Sequence, residues 1–153
     1  AAVEDDHAGG DHRPERSRAD RAAAGRLNPN EVPMSACIFC KIAAGEIPAK
    51  IVYRDAEITA FRDINPIAPT HILLIPNRHL TNALDAGEAD AALIGKMVLV
   101  GAQLARQEGI AESGFRLVAN ANAHGTQTVF HLHFHLLGGA QLTNRYGYTG
   151  EPL

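Results

Sequence analysis

The chain has 153 residues, of which 46% are hydrophobic and 20% are charged, so it is long enough for one globular domain with its own core. Its formal net charge of −3 argues against a basic surface for nucleic acid or an anionic membrane, and any phosphate must be bound by a local site. No apolar run is long enough to cross a bilayer, and no secretory signal is recognised. We therefore predict a cytoplasmic protein without a nucleic-acid or membrane partner.

Residues 1–34 differ in composition from the rest of the chain. They are rich in Ala, Arg, Asp and Gly, and their sizeable apolar residues before Met34 are Val3, Leu27 and Val32. So little apolar surface cannot offset the entropy of ordering, which predicts a disordered leader. Met34 is a candidate natural start, with the leader an artefact of cloning or of gene-start assignment. The alternative is an arm that regulates the protein or binds a partner.

A short helix and three strands are predicted next. The helix is predicted over residues 35–44, because Ile38, Phe39 and Ile42 lie on one side of it at helical spacing and Gly45 follows its last turn. The strands are predicted at residues 50–54, 57–63 and 71–76, the last as a central strand covered on both faces.

One long helix and two further strands complete the predicted domain. Residues 88–108 carry apolar side chains every three or four positions, which predicts the helix. A fourth strand is predicted over residues 115–120, and a polar loop over residues 121–127 leads to the fifth strand. The sequence thus predicts an α+β domain over residues 35–140, with a mostly antiparallel sheet of about five strands, followed by a tail over 141–153.

The fifth strand, TVFHLHFHLLGG over residues 128–139, alternates histidine with apolar side chains. Successive side chains of a strand point to opposite faces, so His131, His133 and His135 would form one row while Phe and Leu face a core. A surface strand with its polar face exposed to solvent would explain the alternation. It would not explain why the same ionisable residue occurs at three successive polar positions. A three-histidine metal site is the other alternative. The pattern favours a catalytic or phosphate-binding row.

Cys37 and Cys40 form a C-x-x-C pair. In a chain without an export signal this spacing indicates metal or redox chemistry in a reducing compartment. Two thiolates alone do not complete a zinc site, and a thioredoxin-like role lacks its βαβ context. An empty, reduced pair is the remaining alternative.

The histidine strand and several segments before it resemble the histidine triad superfamily. The signature of that superfamily is His-x-His-x-His-x-x, in which x is apolar. HLHFHLL matches the signature, and CIFCKIAAGEIPA, AFRDIN and HILLIPNRH resemble the family's other blocks in their usual order. The Leu-Leu-Gly-Gly ending is similar to the branch of histidine triad nucleotide-binding proteins, which are purine nucleoside phosphoramidases. The resemblance covers residues 36 to about 140 and implies a HIT-like fold.

The resemblance implies a hydrolase or transferase that acts at the α-phosphorus of purine nucleotides through a nucleotidyl-histidine intermediate and releases the nucleoside monophosphate. It implies no cofactor for catalysis. His133 matches the nucleophile, His135 and His71 match the flanking histidines, and Thr128 matches the hydroxyl that contacts the leaving group. The alternatives are a purine nucleotide-binding module with little turnover and a dinucleoside polyphosphate hydrolase.

The resemblance also implies a nucleotide-binding set. Asp63 would accept both ribose hydroxyls, Asn120 would orient the ribose-phosphate and Gln127 would contact phosphate. The apolar slot for the purine would be formed by Ile38, Phe39, Ile42, Phe61 and Ile64. Judged from the residues alone, Asp63 is a cap of the proline-containing loop and His71 is a satisfied buried histidine. On periodicity alone, Ile38, Phe39 and Ile42 are ordinary core between helix and sheet.

Relatives with this cysteine pair carry a structural zinc ion, so the resemblance implies a ligand set of Cys37, Cys40, His79 and His131. It also implies a homodimer, paired through the long helix and the strand after it. A surface of Met97, Val98, Val100 and Leu104 would allow this pairing, or these residues belong to the intramolecular core.

The sequence departs from the family pattern near the expected phosphate site. Thr126 stands where many relatives have Gly, and His124 is an additional imidazole in the same loop. The tail lacks the Trp of some relatives, and Tyr146 or Tyr148 is the candidate replacement.

Overall fold

Five strands form one fully antiparallel sheet in the order β1-β2-β3-β5-β4. Their bounds are β1 Ile51–Arg54, β2 Ile58–Arg62, β3 Thr70–Pro76, β4 Phe115–Ala119 and β5 Phe134–Gly138. Within residues 32–147 there are two helices, α1 at Ile38–Ala43 and α2 at Ala91–Gln107. Short 3-10 turns occur at Met34–Ala36, Ala83–Asp85 and Glu88–Asp90. The predicted α+β architecture is confirmed.

This computed structural model describes residues 32–147 and residue 150. The predicted leader up to residue 31 and Tyr148 lie outside the described residues. Val32 already packs against an apolar cluster, so the contacts of the domain begin before the predicted boundary at residue 35. Within the described part of the chain, no helix has the length and apolarity that a membrane span requires.

The sheet separates two apolar clusters. The α2-side core contains Ile58, Ala60, Ile72, Leu74, Leu80, Met97, Val100, Leu104, Ala105, Ile110, Leu132 and Leu136. The α1-side core contains Cys37, Phe39, Ile42, Phe61, Leu73 and Ile75. Alternation along β3 sends Leu73 to the α1 side and Leu74 to the α2 side, and every residue of this central strand is buried as predicted. His131 and His133 lie on the same side of the sheet as α1, where both contact Phe39.

The histidine strand is shorter than the sequence predicts. β5 begins at Phe134, so His131 and His133 precede it. The backbone N–H of Leu132 donates to Leu80 O at 2.6 Å, outside the sheet, which ends strand pairing there. The alternation nevertheless continues, because Leu132 belongs to the α2-side core while His131 faces Phe39 on the α1 side.

Most of the apolar surface that we considered for dimer contact is intramolecular core. Met97, Val100 and Leu104 are buried against the sheet. Val98 and the neighbouring Leu99 are exposed on α2. The alternative interpretation of the sequence is therefore the correct one for three of the four residues.

Leu104→Ala is expected to lower the free energy of unfolding by about 2–5 kcal/mol, because it removes a fully packed side chain. Leu104 is 1% exposed, whereas Leu84 is 77% exposed. The matched change Leu84→Ala is expected to stay within about 0.5 kcal/mol of the wild type. Urea unfolding of both variants checks this. Equal losses in both would mean that α2 does not pack as described.

Candidate active site

A cavity of about 340 Å³ opens between α1, the sheet and the loop after β4. All five residues predicted for the purine slot line it: Ile38, Phe39, Ile42, Phe61 and Ile64. The rings of Phe39 and Phe61 meet edge to face with centroids 5.4 Å apart, which fixes one wall. Ile64 is 91% exposed, so the cavity is open at that rim.

Polar groups converge on the same cavity. Asp63, Thr128, His133 and His135 line it. Asp63 also caps the proline-containing loop, because one carboxylate oxygen accepts the Asn65 N–H at 2.8 Å. The structure therefore brings together four of the predicted catalytic and ribose-binding side chains beside an apolar slot.

The protonation of His133 is fixed by its neighbour. Its Nδ1–H donates to the backbone carbonyl of His131 at 2.7 Å. In a neutral imidazole the other nitrogen, Nε2, then carries a free lone pair. Phe39 meets the ring edge to face at 5.2 Å between centroids and restrains its orientation. A buried imidazole with one free lone pair at a cavity wall is a competent nucleophile or base.

His71 fixes the protonation of His135 in the same way. The N–H of Ile67 donates to His71 Nδ1 at 3.2 Å, so the proton of a neutral His71 lies on Nε2. That Nε2–H donates to His135 Nδ1 at 2.9 Å. The proton of His135 is thereby placed on its Nε2, which makes it a hydrogen-bond donor. Asp63 Oδ2 lies 3.4 Å from His71 Nε2.

Burial makes the site's histidines harder to protonate. Loss of solvation lowers the pKa of His133 and of His71, in each case against a smaller raising effect of Asp63. Desolvation together with the nearby His133 and His71 lowers the pKa of His135 to about 4. At neutral pH these rings are therefore neutral. In this state the Nε2–H of His135 can donate a hydrogen bond, and the ring carries no positive charge.

Stability is expected to fall with decreasing pH between about 6.5 and about 4, the ordinary and the folded pKa of His135. In this window the unfolded chain binds a proton at His135 that the folded chain excludes, so acid favours unfolding. His135→Gln removes this contribution, and its melting temperature should depend less steeply on pH than that of the wild type. Thermal unfolding across the window measures both slopes, and identical slopes would contradict the assignment.

Two side chains of the predicted nucleotide-binding set do not line this cavity. Gln127 is buried, and its side chain is bonded to Asn82, to the backbone N–H of Asn122 and to two backbone carbonyls rather than directed into the cavity. Asn120, just after β4, is half-buried and does not line the cavity. Both positions follow from the loop after β4, whose path the sequence does not determine.

A second cluster lies behind the histidine row. Cys37, Cys40, His79 and His131 place one sulfur or nitrogen each within 4.8 Å of one another. Three S–N pairs are 3.3–3.5 Å apart, and the two Nδ1 atoms are 3.2 Å apart. Tetrahedral zinc with ordinary bond lengths requires about 3.6 Å for S–N and about 3.3 Å for N–N. The residues present fit a metal ion of this kind.

Hydrogen bonding prepares the cluster for a metal. His131 Nε2–H donates to the carbonyl of Pro76 at 2.8 Å, which leaves Nδ1 free to coordinate. Burial lowers the pKa of His131 to about 4 and, with the Cys37 contact, raises the pKa of Cys40 to about 11. Metal binding must therefore displace the Cys40 proton, whereas the imidazole of His131 is already neutral. The row predicted for three histidines is divided between two sites.

The comparisons with known proteins agree with this geometry. A family model described as HIT domain matches residues 44–142, and the chain belongs to this family. Purine nucleoside phosphoramidase of Escherichia coli (strain K12) is 50% identical over 113 residues, covering 74% of this chain and 95% of that protein. Protein HitA of Neisseria gonorrhoeae is 48% identical over 105 residues, covering 69% and 97%. The predicted family and its phosphoramidase-like branch are confirmed.

Solved structures of the same family match this chain as well. The HIT family hydrolase from Legionella pneumophila Philadelphia 1 matches with a TM-score of 0.72 and 50% identity, covering 72% of this chain and 99% of that chain. A histidine triad protein from Clostridium difficile matches with a TM-score of 0.70 and 40% identity, covering 74% and 98%.

Proposed function

We propose that this protein cleaves a P–N or P–O bond at the α-phosphorus of a purine nucleotide and releases the nucleoside monophosphate. The names of its relatives support the coarser assignment, a nucleotide hydrolase. The observation that carries the finer one is His133, a buried imidazole with its proton held on Nδ1, at the wall of a cavity with an apolar slot and a carboxylate.

The slot suits a purine nucleoside. A flat base inserted between Phe39, Phe61 and Ile42 gains mainly from the burial of apolar surface. Asp63 lines the same cavity and is a two-oxygen acceptor suited to the paired hydroxyls of a ribose. With the base in the slot and the ribose at Asp63, the α-phosphate is directed towards the histidines.

His133 would start the reaction. Its Nε2 attacks the α-phosphorus, a P–N bond forms to the imidazole, and the bond to the leaving group breaks. The leaving group takes up one proton from solvent as it departs. Water then attacks the same phosphorus, the bond to His133 breaks, and the nucleoside monophosphate is released with a proton to solvent.

His135 and Thr128 would stabilise the charge that shifts during both steps. The Nε2–H of His135, fixed by the bond from His71, is a donor for a phosphoryl oxygen. The hydroxyl of Thr128 lines the cavity and can donate to the leaving atom. Such preorganised donors typically contribute about 10²–10³ in kcat each.

A zinc ion at Cys37, Cys40, His79 and His131 would be structural. When bound, it would join α1 and the start of the domain to the segment before β5. His131 would hold the ion by its side chain and His133 by its carbonyl, so one residue would support the metal site and the nucleophile.

A substrate comparison tests the proposed activity. The protein is incubated with an adenosine phosphoramidate, a dinucleoside polyphosphate and a nucleoside diphosphate sugar at equal concentration. We expect the phosphoramidate to give the highest kcat/KM and AMP as product. Faster cleavage of the dinucleoside polyphosphate would assign the second hydrolase class, and binding of AMP without turnover of any substrate would assign a nucleotide-binding module.

The homodimer, the cytoplasmic location and the absence of nucleic-acid and membrane partners stay predictions. Val98 and Leu99 give α2 an exposed apolar patch that a second copy would cover. Sedimentation of the wild type and of Leu99→Glu tests this, because a charge at the contact would shift a dimer towards monomer.

A further inference from the structure

We propose that Asn82 is a positioning residue for the reaction, acting through Gln127 on the loop of residues 121–128. This inference rests on the proposed function. Asn82 lies in the segment between β3 and α2, outside the cavity, and is 3% exposed. Its only route to the chemistry among the described residues is therefore through the side chains that it contacts.

Asn82 and Gln127 form the centre of a closed hydrogen-bond network. Asn82 Nδ2 donates to Gln127 Oε1 and to Asn122 Oδ1, both at 3.1 Å. Gln127 Oε1 also accepts the backbone N–H of Asn122 at 3.0 Å. The Gln127 amide donates to Thr81 O at 2.7 Å and to Val129 O at 3.1 Å. Two donors and two acceptor positions are the full capacity of an amide side chain, so Gln127 has none left for phosphate.

The network fixes Thr128 from both sides. The backbone N–H of Gln127 donates to Asn122 O at 3.1 Å, and its side chain holds the carbonyl of Val129. Thr128, between these two anchors, is exposed to the cavity. The position of its hydroxyl is thus determined by how firmly Gln127 is held.

The loop needs this support because its own backbone is unfavourable. Asn122 and Thr126 adopt left-handed conformations, with φ of 59° and 61°. A β-branched residue such as Thr rarely adopts this conformation, since its side chain crowds the backbone there. Such a loop keeps one conformation only when surrounding contacts determine it.

Asn82 connects the loop of residues 121–128 to the turn between β3 and α2. Its Oδ1 accepts the Leu84 N–H at 3.0 Å, and the Thr81 N–H donates to Asp85 at 3.0 Å, which closes the turn around it. Two residues before Asn82, Leu80 O accepts the N–H of Leu132, which lies between His131 and His133. Asn82 therefore holds the loop in register with the nucleophile, and misplacement of a reacting group by about 1 Å can cost about 100-fold in rate.

Two variants of Asn82 and one control separate this role from general stability. Asn82→Ser keeps an oxygen for the Leu84 N–H but is too short to reach Gln127, and it adds no charge. Asn82→Asp keeps size and the Leu84 bond but places a carboxylate against the two amide oxygens. The control Leu84→Ala changes an exposed side chain of the same turn and keeps every bond of the network, because only the backbone N–H of Leu84 takes part.

The test is calorimetric binding of AMP and of adenosine together with steady-state turnover of an adenosine phosphoramidate. Both Asn82 variants are expected to bind AMP about tenfold more weakly and to lose about 10–100-fold in kcat, with adenosine affinity within about twofold of the wild type. Leu84→Ala should keep the wild-type values for AMP affinity and kcat. A merely structural role would weaken adenosine and AMP equally.

Three results would overturn the inference: AMP affinity and kcat unchanged in Asn82→Ser, a loss confined to Asn82→Asp, or an equal loss in Leu84→Ala. If the wild type itself binds AMP no better than adenosine and turns over no phosphoramidate, the proposed function fails and the inference with it. A wild type that does both, with Asn82 variants that match it, overturns the role of Asn82 alone. Circular dichroism of each variant confirms that it is folded.

Discussion

His133→Ala is expected to lower kcat for an adenosine phosphoramidate by at least about 10³-fold, because it removes the nitrogen that forms the covalent intermediate. Binding should survive, since the apolar slot and Asp63 are untouched, and AMP affinity should stay within about tenfold of the wild type. Steady-state kinetics and calorimetry measure the two quantities separately.

Chemical rescue is the control for this variant. The alanine leaves space at the cavity wall, so added imidazole should restore part of the turnover by supplying the missing nitrogen. His135→Gln is the matched comparison within the row: an amide N–H still allows donation, and we expect a smaller loss of about 10–100-fold. A His133→Ala protein that keeps its rate within tenfold would remove this residue from the role of nucleophile.

Cys40→Ser is expected to abolish stoichiometric metal binding and to lower the stability of the folded chain by several kcal/mol. Serine is close in size to cysteine but is a poor zinc ligand, and the remaining thiolate and two imidazoles do not close a tetrahedral site. The loss is smaller than in zinc-finger peptides, which need the metal to fold, because this chain keeps two apolar cores.

Elemental analysis and thermal unfolding with and without a chelator measure this effect. The wild type should carry about one zinc per chain and melt lower with chelator, whereas Cys40→Ser should be insensitive to it. Ala44→Ser adds the same hydroxyl just after α1, outside the cluster, and should retain the metal. A wild type without stoichiometric metal, or with a melting temperature that the chelator does not change, would contradict the metal site.

Periodicity predicted most of the fold. The three- and four-residue spacing of apolar side chains located α1 and α2, and β3 was recognisable as a central strand because its whole length is apolar apart from Thr70 and His71. The ends were less well determined. The sequence pattern of β5 continues back through His131, but the Leu132 N–H bonds to Leu80 instead of to a neighbouring strand. A hydrogen-bond partner 52 residues away in sequence cannot be predicted from a local sequence pattern.

The site could be predicted where the sequence resembles the family or alternates between polar and apolar residues. The loops were less predictable. The slot residues and the four members of the Cys/His cluster lie together as expected. Gln127 was expected at the phosphate, and its position in a buried network depends on Asn82 and Asn122, which carry no recognisable motif. Val129, Ile47 and Leu73 also line the cavity and were missed, since each is an ordinary apolar residue of a strand or loop.

The most direct test of the account is to mix the protein with an adenosine phosphoramidate, quench within the first turnovers and measure the intact mass. We predict a species heavier by one adenylyl group, with the added mass on the peptide that contains His133 and absent from His133→Ala. Turnover without any covalent species, or an adduct on another residue, would contradict the role of His133.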